Sequence, residues 1–290
     1  MWNQLKTVLF LGALTALAVA AASAFAPSWA FAIAAVAVLF NAAMYFWSDR
    51  LVLRLHGARA LTRDEAPALH AMNDRLAAAA GIPVPRLYLV DAGYANAFAT
   101  GRGPGHGAIA VTSGLLERLT TRELQGVMAH EMAHVSNRDV LIASVAAGLA
   151  AIVSAIANAV QFSALFGPAA SSSDEEQSSP TGALAFALAA PLAATLVQLA
   201  ISRSREYVAD ATAARLTGDA EALASALARL ARAAQEPDAL PASAAATASL
   251  FIVNPLSGAH GVMTLLSTHP PMEQRIARLL RMARRPLRAA

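Results

Sequence analysis

The stretch "AHEMAHVSNRD", residues 129–139, reads H-E-x-x-H, with Glu131 directly after His130 and His134 one helical turn further on. Residues four apart share one face of an α-helix, so the two imidazoles can grip a single metal ion. Glu131, next to them, can then take a proton from water. A pattern this short also occurs in ordinary helices, so its meaning depends on its frame. That frame is helical: "TTRELQGVMAHEMAHVSNRD" offers Thr120 or Thr121 as a cap and Glu123 in the first turn.

Composition points to a membrane. The chain has 290 residues, 57% of them hydrophobic and 14% charged, whereas soluble domains carry about 25% charged residues. Cysteine is absent, which excludes disulfides and thiolate sites and leaves His, Asp and Glu to hold any metal. A net charge of +3 is too weak a basic signal to argue for nucleic acid.

Four apolar runs account for the hydrophobic excess. No charged residue lies between Lys6 and Asp49, a gap too long for one membrane helix of about 20 residues. Pro27, in "SAFAPSW", divides it into two expected spans, residues 7–24 and 29–47. A cleaved signal peptide is the rival reading of the first, but its apolar stretch is long and a second span follows at once. Two further runs cover residues 140–166 and 183–202, the latter containing Pro191, with the polar, serine-rich, acidic "GPAASSSDEEQSSP" between them. Buried core helices are the rival reading of this later pair. Arg50, Arg54, Arg59 and Arg63 follow the second run, and Arg203 and Arg205 the fourth, while the expected outer turns carry neither Lys nor Arg. The positive-inside rule then places both termini and residues 50–139 in the cytoplasm. The expected organisation is two spans in 1–48, a first part of a cytoplasmic domain in 49–139, two more spans in 140–202 and a second part of that domain in 203–290.

Within the first cytoplasmic part, residues 64–80 read as an amphipathic helix stopped by Gly81. Pro85 to Asp91 and Asn96 to Gly101 read as strands, and "AIAVTSGLL" as a third strand entering a helix. "GRGPGHG" is a glycine-rich turn without the Gly-Lys-Ser/Thr of a phosphate loop, and its His106 reads as a solvated loop residue.

A catalytic zinc needs a third protein ligand. In "SRSREYVADATAARL" (Ser202 to Leu216), Glu206 and Asp210 lie four apart on one helical face. Glu206 would complete a His-His-Glu set, and Asp210 could receive the outer ring N–H of a liganding histidine. Spacing alone leaves open the alternative of a solvated face with Arg203 and Arg205 paired to Glu206. In the C-terminal "MEQRIARLLRMARRPLRAA", a helix packed through Ile276, Leu279 and Leu280 is the preferred reading over one lying on anionic lipid.

Taken together, "HEMAHVSNRD", "SRSREYVADATAA", "NAFATG" and "THPPMEQRI" resemble the HtpX-type membrane zinc peptidases, relatives of the CAAX prenyl endopeptidases. The resemblance covers nearly the whole chain and keeps the motif order. It implies a mainly α membrane protein with four transmembrane helices and a cytoplasmic α+β gluzincin-type domain with a small sheet, in a bacterial inner membrane. It implies one zinc per chain on His130, His134 and Glu206, with Glu131 as general base and Asp210 behind the ligands. Asn96, Ala97, Phe98 and Ala99 match the family's substrate-pairing edge strand; His269 and Arg275 match positions that could steady an oxyanion. Membrane protein or peptide substrates and the lipid bilayer are the implied partners. A quality-control endopeptidase, a specific processing peptidase and a catalytically silent scaffold remain as readings; the intact ligand set weighs against the last. Oligomeric state is not legible.

Overall fold

The computed structural model describes residues 30–147, 203–234, 250–252 and 270–284, with a few positions before residue 30. The first helix, α1, runs from Ala30 to Leu55, 26 residues. Its Phe31–Leu55 portion is long and apolar enough to cross a membrane by length and composition. The helix does not stop at Trp47. It continues through Asp49, Arg50 and Arg54, because its last turns bury Val52 and Leu53 against the sheet. The other three expected spans fall largely outside the described residues. Residues 140–147, the start of the third, are helical, and Val140, Leu141, Ile142 and Val145 are buried there within the described fold.

Beyond α1 come β1 (Arg59–Ala60), α2 (Pro67–Ala80), β2 (Arg86–Val90), β3 (Ala97–Gly101) and β4 (Gly107–Thr112). Strand β1, two residues long, is too short to show a period in the sequence. Helix α2 ends at Gly81, whose φ of 66° is the left-handed conformation glycine adopts without steric cost. The sheet order is β1-β2-β4-β3. Strand β2 runs parallel to β4, and β3 antiparallel to it with Ala99 opposite Ile109. Strand β3 is therefore an edge strand. The turn that follows needs its glycine: Gly101 has φ 136°, and a Cβ there would run into the His106 carbonyl oxygen.

Alternation along β4 divides the core. Ile109 and Val111 face α2 and the buried residues Val127, Met128 and Met132, while Ala108 and Ala110 face Val52, Leu53 and Phe98. After the short α3 (Ser113–Arg118), helix α4 spans Thr121–Ser136. Thr120 caps it in a full capping box with Glu123, satisfying two amides that would otherwise be orphaned. Then come α5 (Arg203–Thr217), α6 (Ala220–Ala233) and α7 (Met272–Ala283). Helix α7 buries Leu279 and the whole Arg275 side chain, whereas Leu280 is 37% exposed and does not join the packing expected of it.

Helices α4 and α6 touch at Gly126, where a Cβ would sit 3.0 Å from the Leu223 backbone. Gly126→Ala should therefore push the two helices apart and lower stability by about 1–3 kcal/mol, the cost of overpacking. Thermal melting of the detergent-solubilised variant checks this; an unchanged melting temperature would show that the contact is slack.

Candidate metal centre

Helix α4 presents His130 and His134 on one face, and α5 crosses it to bring in Glu206. The two imidazole Nε2 atoms are 3.1 Å apart. Glu206 Oε2 lies 3.6 Å from His130 Nε2 and Oε1 lies 3.5 Å from His134 Nε2. These three residues form a group whose ligand atoms all lie within 4.8 Å of one another. A tetrahedral zinc with bonds of about 2.0–2.1 Å sets its ligand atoms roughly 3.3 Å apart, so the donor set and its spacing fit that ion.

The surrounding charges fit as well. His130 Nδ1 is 3.0 Å from Asp210 Oδ1, and His134 Nδ1 is 3.4 Å from Asp139 Oδ2. Each of the two imidazoles thus has a carboxylate behind it, the arrangement that fixes tautomer and ring orientation in metal sites. Four carboxyl groups (Glu131, Asp139, Glu206, Asp210) and two guanidiniums (Arg205, Arg275) surround the two imidazoles. Burial opposes charge on His130, but Asp210 and Glu206 outweigh it and push the imidazole pKa up. Asp210 is also desolvated, yet Arg275 and His130 hold its carboxyl well below the usual range.

Asp139 went unread in the sequence because it lies past the end of α4. The backbone puts it there. Arg138 adopts φ 61°, a left-handed turn that costs a non-glycine residue about 1–2 kcal/mol. The Asp139 N–H then bonds back to the His134 carbonyl at 3.0 Å. Arg205 Nε stands 3.8 Å from the far Asp139 oxygen.

Arg275, expected near substrate, is fully enclosed instead. Its Nε and Nη2 donate to the two Asp210 oxygens at 2.9 and 2.7 Å, and Nη1 donates to the Ile252 carbonyl at 3.1 Å. Nη1 is also 3.3 Å from Glu206 Oε2. Geometry makes it the clamp between the two α5 carboxylates. Asn96 is likewise buried, and its Oδ1 accepts the Ile252 N–H at 3.3 Å. His269 lies outside the described residues. His106 sits exposed in its turn.

Glu131 is 2% exposed. Burial, the largest effect on it, raises its carboxyl pKa, and the Ala99 backbone bonds to it. The edge strand thus reaches Glu131 directly. A cleft of about 50 Å³ opens here, with Ala99, Val140, Ala143, Leu250 and Phe251 as its apolar wall.

Residues 63–283 match the model of Peptidase family M48. The chain is 47% identical over 294 residues to "Protease HtpX homolog" of Sulfurihydrogenibium sp. (strain YO3AOP1), covering 98% of each chain. It is 44% identical over 285 residues to the protein of the same name from Ralstonia pickettii (strain 12J), again covering 98% of each. The crystal structure of S. mikatae Ste24p shares the fold at TM-score 0.51 and 18% identity; the match covers 96% of this chain and 64% of that one. The chain belongs to peptidase family M48. It is a membrane protease of metallopeptidase type.

Proposed function

We propose that the protein is a zinc-dependent endopeptidase of the bacterial inner membrane, with its site on the cytoplasmic side, that cleaves misfolded or damaged membrane proteins. The convergence of His130, His134 and Glu206 with Glu131 alongside carries this reading. Zinc bound by those three residues would supply Lewis acidity to water and to the scissile carbonyl.

The chain's own groups do the rest. His130 and His134, steered by Asp210 and Asp139, keep their Nε2 atoms turned toward each other, where they would hold the ion. Arg275 holds Glu206 and Asp210 against each other's repulsion. Glu131 takes a proton from the attacking water and returns it to the leaving amine. A carboxyl whose pKa burial raises is a stronger base than a solvated one. Strand β3 offers its edge to an extended substrate, with Asn96, Ala97, Phe98 and Ala99 as the segment that pairs. The apolar wall of Val140, Ala143, Leu250 and Phe251 suits unfolded apolar segments, which misfolded membrane proteins expose. His269 remains the residue proposed to steady the oxyanion.

The protein purified in detergent should contain about one zinc per chain and cleave casein. Chelation should abolish cleavage, and added zinc should restore it. Full activity with the metal gone would overturn the reading. Topology has its own check. The arginines after the second and fourth apolar runs predict a cytoplasmic reporter after Ala290 and a periplasmic one at Ser172. Cytoplasmic labelling at Ser172 would mean that the later two runs do not cross the bilayer.

A further inference from the structure

The C-terminal end of α1 changes chemistry turn by turn along one face. Val36 and Leu39 are 64% and 70% exposed, and Trp47 is 54% exposed. Ala43, Met44, Trp47, Arg50, Leu51 and Arg54 then line a shallow concavity of about 370 Å³. Arg50 and Arg54 are both exposed. Among the described residues neither guanidinium is ion-paired, and the acidic residue nearest in sequence, Asp49, is taken by Arg86 at 3.5 Å.

A third arginine reaches the same level from the peptidase domain. Arg102, in the turn after β3, places its guanidinium 5.3 Å from the Phe46 ring centroid. Its Nε is shielded from water with no acceptor among the described residues. Phe46 and Arg50 are four residues apart and share a face of α1.

Depth gives the partner. From Ala30 to Trp47 the helix rises about 26 Å at 1.5 Å per residue, close to the roughly 30 Å hydrocarbon thickness of a bilayer. Tyr45, Phe46 and Trp47 then sit where aromatic belts sit. Arg50 and Arg54 fall roughly 5–10 Å beyond, in the headgroup layer. Guanidiniums there with no ion-pair partner among the described residues match a phosphate diester, for which arginine has the better geometry.

We propose that this face binds the headgroup of an anionic phospholipid. Arg50 and Arg54 hold its phosphate, Arg102 approaches over Phe46, and the acyl chains lie along the exposed turns above Ala43. Because Arg102 directly follows the edge strand, the bound lipid also fastens β3 to the membrane surface.

Native mass spectrometry of the full-length, zinc-loaded protein, titrated with phosphatidylglycerol and with phosphatidylcholine, tests this. The parent should retain phosphatidylglycerol preferentially. Arg50→Gln and Arg54→Gln, on an exposed face, should each cut that preference roughly fivefold. The triple variant with Arg102→Gln should nearly erase it, and triple Arg→Lys should recover part of it. Arg278→Gln, Arg281→Gln and Arg284→Gln together remove equal charge from α7 and its C-cap and should change the preference less than twofold. An undiminished preference in the two single variants, or an equal loss in the α7 variant, would overturn the site. Competition by millimolar inorganic phosphate would show an adventitious anion site and overturn it too.

Discussion

Glu131→Gln should bind zinc as the parent does and cleave casein about 10²–10⁴ times more slowly, the usual cost of losing a general base. The two halves of this expectation rest on different observations. Zinc should stay because the converging donors are His130, His134 and Glu206, and Glu131 is outside that group. The substitution keeps the side chain's shape and an oxygen to accept from Ala99, so the buried position stays filled and bonded. Activity should fall because an amide cannot take a proton from water. Wild-type cleavage by the variant would remove Glu131 from the chemistry. A loss of zinc would make it a ligand and force a new assignment of the base.

Local signals in the sequence carried the elements that build α4 and end α2. The Thr120–Glu123 box, the His130–His134 spacing and the Gly81 stop are interactions within a few residues, and the structure shows the cap, the shared face and the left-handed glycine where the pattern put them. Contacts that depend on the fold were not legible. The end of α1 seemed fixed by charge at Asp49, yet tertiary burial of Val52 and Leu53 carries the helix to Leu55. Asp139 was invisible because its approach to His134 depends on the φ of Arg138, which no propensity assigns to arginine. Arg275 was expected near substrate from the resemblance, and nothing local in the sequence shows its buried partners. Only the crossing of α5 and α7 shows it enclosed between two carboxylates. The Leu250–Ile252 wall, over a hundred residues from the motif it lines, left no local trace at all.

Glu206→Gln should weaken zinc far more than Asp210→Asn, which should lose about the 10–100-fold typical of a carboxylate behind a ligand. Spacing alone could not choose between them, since both lie on one face of α5. Their partners now differ. Glu206 oxygens lie 3.6 and 3.5 Å from the two Nε2 atoms that would face the metal, whereas Asp210 is 3.0 Å from His130 Nδ1, the nitrogen on the far side of the ring. Asp210→Asn carries a complication that must be separated from metal affinity. It removes the carboxylate that Arg275 grips with two hydrogen bonds, and breaking a buried ion pair costs about 3–5 kcal/mol. Unfolding would then imitate a lost ligand. Pairing Asp210→Asn with Arg275→Met removes the stranded charge, and such replacements are often neutral or stabilising. The double variant should therefore melt at a higher temperature than Asp210→Asn alone, while its zinc affinity stays 10–100-fold down because His130 has still lost its orienting partner. Near-parental zinc affinity in the double variant would make Asp210 a folding residue only. A larger loss of zinc for Asp210→Asn than for Glu206→Gln, with both variants folded, would exchange the two roles.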